Sequence, residues 1–164
     1  MKKNFIWMVS LLMILILHSA HGAAGAAYHP NYSPPIEEEL ITSTWDTGIA
    51  YNGAYSSLTF TIRSSYRITF INTYHWNNQR GKRPGTIGLR AQSGVVYGPW
   101  QAAGTDGMYK TRNAVWEVRP NIVIPAGTYE VIDSDPSTWS QNDSTGGVGM
   151  CEVRGYIQER GRRR

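Results

Sequence analysis

Three tryptophans stand beside amide residues in turn-like segments, a combination of residue types that suits sugar binding. The pairs are Trp76 with Asn77, Trp100 with Gln101, and Trp139 with Asn142. An indole ring can stack on the apolar face of a pyranose while an amide hydrogen-bonds to its hydroxyls. We take these six side chains as the predicted ligand-binding set. The alternative is that the large rings plug the ends of the fold, the core position that we predict for Trp45 and Trp116.

The segment 133–143 is a second candidate site, because it gathers carboxylates, hydroxyls and amides in one loop. Calcium takes six to eight oxygen ligands, and the predicted metal ligands are Asp133, Asp135 and Asp143, with Asn142 nearby. The spacing differs from that of an EF-hand. The alternative is turn chemistry, in which Asp and Ser side chains bond to the local backbone. The prediction is therefore no cofactor, with calcium as the alternative.

The loop 77–84 is basic, with Arg80, Lys82 and Arg83 around Gly81. Such a loop can receive an anionic sugar or the acidic patch of a partner. The simpler interpretation is a solvated surface loop.

Three glutamates raise the question of an enzyme. Glu117, Glu130 and Glu152 each alternate with apolar residues in strand-like runs, and paired carboxylates on one face can hydrolyse glycosides. An ordinary solvent-facing side of a sheet explains the same pattern. Motifs of metalloproteases, serine nucleophiles and phosphate loops are missing from the sequence. We therefore predict no catalytic residue and no enzymatic activity.

Strands must position these groups, since alternation with period two runs through the chain. Leu58 to Ile62 and Tyr66 to Ile71 flank Ser64-Ser65, which predicts a hairpin. Ile122 to Ile124 and Thr128 to Ile132 flank Pro-Ala-Gly at 125–127, which predicts another. Shorter strands are predicted at 86–90 and 95–97, and 148–157 is a strand-like run. The predicted fold is an all-β antiparallel β-sandwich, jelly-roll-like, with an immunoglobulin-type sandwich as the alternative.

Both ends of the chain differ from its body. Lys2 and Lys3, the apolar run 5–17 and the small residues that follow predict a secretory signal peptide over 1–26. An uncleaved anchor is the alternative, but the run is shorter than a membrane span. We expect a secreted or periplasmic protein without stable membrane insertion after cleavage.

The remaining chain is predicted to hold a lead-in segment at 27–44, the sandwich domain at 45–158 and a basic tail at 159–164. A sheet that already begins within 37–44 is the alternative for the lead-in. The whole chain has 16 basic and 12 acidic residues, but the stretch 27–158 has 10 against 11. The positive charge therefore belongs to the ends, and we predict no nucleic-acid partner. Cys151 is single, so it forms no internal disulfide and is predicted to be a buried inert thiol.

The run PNIVIPAGTYEVIDSDPSTWSQN at 120–142, with GGVGM after it, resembles a pattern that recurs in exported bacterial proteins of no assigned activity. TYHWNN and VYGPWQAAG are similar to the same module, and the resemblance covers roughly residues 56–157. It implies a bacterial β-sandwich and carries over no catalytic residue.

These observations favour a secreted, non-catalytic binding module whose partner is a glycan or another cell-surface component. One alternative is a structural, matrix or assembly protein. The other is a small glycoside hydrolase.

Overall fold

The computed structural model describes residues 38–158 of the 164-residue chain. The predicted signal peptide, the basic tail and most of the lead-in segment lie outside the described residues. The described residues form ten strands and one 3₁₀ turn at Met108–Lys110. The strands are β1 (Glu39–Ser43), β2 (Thr59–Ile62), β3 (Tyr66–Tyr74), β4 (Thr86–Ala91), β5 (Val96–Gln101), β6 (Ala103–Thr105), β7 (Val115–Val118), β8 (Ile122–Ile124), β9 (Gly127–Asp133) and β10 (Cys151–Ile157). Residues 38–158 contain no helix with the length and apolar character to cross a membrane.

The strands form two antiparallel sheets, which confirms the predicted all-β sandwich. One sheet has the order β1-β10-β3-β7-β6, with β8 also pairing with β3. The other has the order β2-β9-β4-β5. Because β7 and β8 pair with successive parts of β3 on either side of Pro120, they act as one interrupted strand. With that pair counted once and the edge strand β6 left aside, the other eight strands have the order of a jelly roll.

Both predicted hairpins are wrong, although their strands are present. The Ser64-Ser65 turn joins β2 in one sheet to β3 in the other, and the turn at 125–126 likewise joins β8 to β9. A short turn reverses the chain whether the next strand stays in its sheet or crosses to the facing one. Which sheet the next strand joins depends on the strands available for pairing in each sheet. The local alternation of apolar and polar residues does not encode this.

The sandwich begins earlier than the predicted boundary at residue 45. Strand β1 pairs with β10 at the edge of the larger sheet, so the alternative of a sheet starting within 37–44 is correct. The strand is short, and its register shifts between Leu40 and Thr42. Its alternation was therefore too weak to separate it from a lead-in.

The core lies between the sheets and is built from the inward side of each strand. Trp116 is buried there as predicted. The other fully covered side chains include Ile68, Ile71, Ile87, Leu89, Ile124, Val131 and Val153. Cys151 is buried, as predicted, and burial raises the pKa of its thiol well above its ordinary value. The prediction for Trp45 is wrong: 37% of its surface is exposed, and its ring packs obliquely on Tyr74 at 5.2 Å.

Strand directions give the sandwich two distinct ends. Thr73 pairs with Cys151 near one end, and Tyr66 pairs with Ile157 at the other. The loops 44–58, 75–85, 106–114 and 134–150 gather at the first end, which we call the loop end. The described chain starts and finishes at the opposite end. Every loop that carries a predicted polar site therefore lies at the loop end. Gln101 of the predicted pair Trp100-Gln101 is on strand β5 and pairs with Thr86, next to loop 75–85.

Candidate functional site

A buried polar network underlies the loop end. The Thr73 hydroxyl donates to Asp133 Oδ2 at 2.7 Å, and His75 Nε2 lies 3.1 Å from the same oxygen. His75 Nδ1 lies 2.9 Å from Thr138 Oγ1, and the imidazole stacks on Trp116 with the ring centres 3.7 Å apart. The network therefore ties β3, β9 and loop 134–150 together.

This histidine–carboxylate pair has a structural role. The side chains of His75 and Asp133 are both fully buried, so no substrate can reach them in this structure. This role of His75 was not predicted from the sequence. The signal was available, because His75 continues the inward-facing alternation of Ile71 and Thr73 beyond the end of β3.

The structure does not bring the three predicted metal ligands together. Asp133 belongs to the buried network, and its Oδ1 accepts the Asp135 backbone N–H at 2.7 Å. Asp135 pairs with Lys82 Nζ at 2.7 Å, and Asp143 lines a separate groove. Within residues 38–158, no three His, Cys, Asp or Glu side chains are grouped to hold a metal ion. The bond from the Asp135 N–H to Asp133 Oδ1 is of the kind that the turn-chemistry alternative predicts. The other bonds of these two carboxylates go to side chains, among them the distant Thr73 and Lys82.

The ion pair changes the titration of Asp135. Burial alone would raise its pKa, but the hydrogen bonds from Lys82 and Ser137 and the charge of Lys82 outweigh burial. Together they lower the pKa of Asp135 to about 2. The carboxylate is therefore held as an anion that fixes Lys82 against loop 134–150.

Two residues of the predicted ligand-binding set are internal, so their prediction is wrong. Trp139 is 1% exposed, belongs to the main core and donates its indole N–H to the Met150 carbonyl at 2.8 Å. Asn142 is buried and donates to Asp46 Oδ1 at 2.7 Å, while its own Oδ1 accepts the Thr145 backbone N–H. Here the ring does plug the end of the sandwich, and the amide holds a turn.

The other predicted residues divide between two places. Trp100 and Gln101 lie on β5, the edge strand of the smaller sheet, where Trp100 packs partly against the core and Gln101 donates to the Gly85 carbonyl at 2.8 Å. Asn77 donates to the Gly81 carbonyl at 2.9 Å and accepts from Asn52. Its amide therefore supports a loop.

Of the predicted ligand-binding set, Trp76 lines an open depression at the loop end. This apolar cleft has a volume of about 340 Å³. It is lined by Thr47, Gly48, Ile49, Ala50, Tyr74, Trp76, Met108 and Tyr109. Ile49 and Tyr109 form exposed walls, being 73% and 76% accessible.

A polar groove of about 500 Å³ lies beside it. It is lined by Tyr51, Asn52, Tyr55, Gln141, Asp143, Gly146 and Gly147. Tyr55 is 85% exposed, and Asn52 Oδ1 is buried without a hydrogen-bond partner among the described residues. The groove thus combines exposed tyrosine rings with polar side chains.

The cleft and the groove share one wall. Ala50 of the cleft and Tyr51 of the groove are consecutive, so the segment 47–55 separates the two depressions. Five of the eleven exposed large apolar side chains in the described chain come from this wall and the facing 3₁₀ turn. They are Ile49, Tyr51, Tyr55, Met108 and Tyr109, and Trp45 lies just before the wall. The high tyrosine content was the available sequence signal, but these residues lie in irregular segments where no period assigns a face.

The glutamates separate into a pair and a single residue. Glu117 and Glu152 both pair in register with Asn72, so they share the outer face of the larger sheet. Glu130 lies in the other sheet. Glu152 pairs with Arg154, and Glu117 lies 4.0 Å from Arg119. The surface around them is a shallow, charged groove rather than a deep cleft.

Comparison with known proteins gave no relative: no family model, no curated protein and no solved structure matches the chain. The resemblance of residues 56–157 to an exported bacterial module therefore stays a prediction.

Proposed function

We propose that this protein is an exported, non-catalytic module that binds a glycan at its loop end. The observation that carries the proposal is the group of exposed aromatic side chains around the polar groove and the apolar cleft. Single exposed apolar residues are ordinary, but a contiguous group of them beside depressions is typical of a binding surface.

The polar groove has the chemistry that a sugar needs. The rings of Tyr51 and Tyr55 can stack on the apolar face of a pyranose. Gln141 and Asp143, which line the groove, can exchange hydrogen bonds with its hydroxyls. A charged acceptor such as Asp143 forms the stronger of these bonds.

The backbone that carries the two rings is held in place before a ligand arrives. Tyr51 exchanges two backbone hydrogen bonds with Gln141, at 2.8 and 2.9 Å, and the Tyr55 N–H donates to the Gly147 carbonyl at 2.9 Å. Gly147 has a positive φ of 80°, and a side chain there would overlap the Tyr55 ring. Such preorganisation lowers the entropic cost of binding.

A glycan array with the purified protein, run once in calcium and once in EDTA, tests the proposal. We expect binding that survives EDTA, because the contacts come from rings and hydrogen-bonding groups. Tyr55→Ala should weaken binding about three- to tenfold, the worth of one aromatic contact. Val123→Ala, which trims an exposed side chain on β8, is the matched control and should change nothing. An array without any bound glycan would refute the proposal.

Assembly is the second candidate, and the exposed Ile49, Met108 and Tyr109 favour it. In that case the apolar cleft would receive another protein surface. Concentration-dependent oligomers that Tyr109→Ala abolishes, together with a silent glycan array, would favour assembly over glycan binding.

A further inference from the structure

Five basic side chains lie on two loops beside the apolar cleft, and we call them the basic cluster. They are Arg80, Lys82, Arg83, Lys110 and Arg112. The stretch 27–158 has ten basic residues in all, so half of them are in this cluster. A stretch with a slight excess of acidic residues therefore concentrates positive charge in one place.

The two loops contact each other through their backbones. Gly81 is buried with a φ of +61°, and a side chain there would overlap the carbonyl of Arg112. Pro84 approaches Gly104, which also contacts Asn113. The bases of the two charged loops are therefore fixed relative to each other.

The same loops form part of the apolar cleft. The Gly81 N–H donates to the carbonyl of Trp76 at 3.1 Å, and Lys110 directly follows Tyr109. Trp76 and Tyr109 both line the cleft. The two loops that carry the basic cluster thus also supply two of the aromatic rings of the cleft.

Most of this charge is not neutralised within the described chain. Lys82 pairs with Asp135, whereas Arg80, Arg83, Lys110 and Arg112 form no ion pair within residues 38–158. Asp106 is the one carboxylate residue on the two basic loops, 75–85 and 106–114. The polar groove across the segment 47–55 carries Asp143 instead. An anionic group is therefore favoured on the side of the cleft and disfavoured in the groove.

We propose that the glycan bound at the loop end is anionic, and that its carboxylate or sulfate groups lie against the basic cluster while its rings contact the aromatic walls. This inference rests on the proposed function and specifies the class of glycan. An acidic protein would bind the basic cluster through charge alone, and a nucleic acid would bind through its phosphates and its bases. The experiment includes a polyanion of each kind.

The test compares dextran, carboxymethyl dextran and dextran sulfate, which share one backbone and differ in their anionic groups. Binding is measured by calorimetry at two salt concentrations, with poly-glutamate and a single-stranded oligonucleotide as other polyanions. We expect at least one anionic dextran to bind about tenfold or more tightly than dextran, with affinity that falls as salt screens the charges. The stronger of the two derivatives identifies carboxylate or sulfate as the preferred group.

Charge variants locate the site. Arg80→Gln combined with Lys110→Gln should weaken binding of the anionic dextran about tenfold, the effect of two exposed charge contacts. Arg63→Gln combined with Arg119→Gln removes the same charge elsewhere on the sandwich and should have less than a twofold effect. A third variant replaces the four arginines of the tail, Arg160 and 162–164, by glutamine and should also retain binding.

The possible results separate the two proposals. Anionic dextrans that bind no better than dextran would overturn the inference alone, and a glycan array with only neutral binders would agree with that result. Equal binding of poly-glutamate or the oligonucleotide would overturn it, as would loss of binding in the tail variant alone. A glycan array with no binder at all would overturn the proposed function as well.

Discussion

Replacing Asp133 by alanine should strongly destabilise the protein, because this carboxylate is the centre of the buried network. It accepts hydrogen bonds from the Thr73 hydroxyl at 2.7 Å and the Asp135 N–H at 2.7 Å, and it lies 3.1 Å from His75 Nε2. Hydrogen bonds to a charged group contribute about 1.5–3 kcal/mol each. Alanine would leave the Thr73 hydroxyl and the Asp135 N–H without their acceptor, at about 1–3 kcal/mol for each group, so the net loss is about 4 kcal/mol.

Urea unfolding followed by tryptophan fluorescence measures this loss, since Trp116 stacks on His75. The control is Thr73→Val, which removes one hydroxyl from the network and should cost about 2 kcal/mol. The double variant should cost no more than Asp133→Ala alone, because the same hydrogen bond is lost in both singles. A loss below about 1 kcal/mol for Asp133→Ala, or strictly additive losses, would refute the role assigned to this network.

Three further predictions concern single positions. Gly149→Ala should cost at least about 2 kcal/mol in a thermal or urea melt, because a side chain there would overlap the Trp139 ring; an unchanged melt would contradict the packing. Lys82→Gln should cost about 1 kcal/mol near neutral pH, a value reduced for the solvent exposure of the lysine. The folded pKa of Asp135 is lowered from 3.8 to about 2, so this stabilisation is present above about pH 4 and disappears as pH falls toward 2; a loss that grows on acidification would contradict it. Cys151 should resist a thiol reagent in the folded protein and react after denaturation, since it is fully buried; rapid labelling of the native protein would show that the strand opens.

The sandwich could be predicted because its signals are local. Alternation at Leu58, Phe60 and Ile62 is enough to identify a half-buried strand, and β2 is such a strand. The partner of a strand is not a local property. The two short turns looked like hairpins, yet each crosses between the sheets. The neighbour of β2 in its sheet is β9, and β3 lies beside β10 in the other sheet.

The binding surface was harder to predict from composition. One ring that was predicted to be exposed is buried, and two exposed rings were not predicted. Polar neighbours made Trp139 look exposed, yet this part of the loop folds over the core and satisfies its polar groups internally. Ser140 N–H donates to the Tyr74 carbonyl at 2.7 Å, and Met150 N–H donates to the Ser140 carbonyl at 2.7 Å. Conversely, Tyr55 and Tyr109 have no periodic pattern around them, so nothing local marked them as exposed.

Nuclear magnetic resonance mapping of a bound glycan is the most direct test of the loop-end site. The ligand would be the tightest binder from the glycan array, titrated into isotope-labelled protein. We predict that the shifted amides cluster in segments 47–55, 108–112 and 141–147, the walls of the cleft and the groove. Shifts confined to β5 around Trp100, or to the outer sheet face around Asn72, would contradict the account and place the site elsewhere.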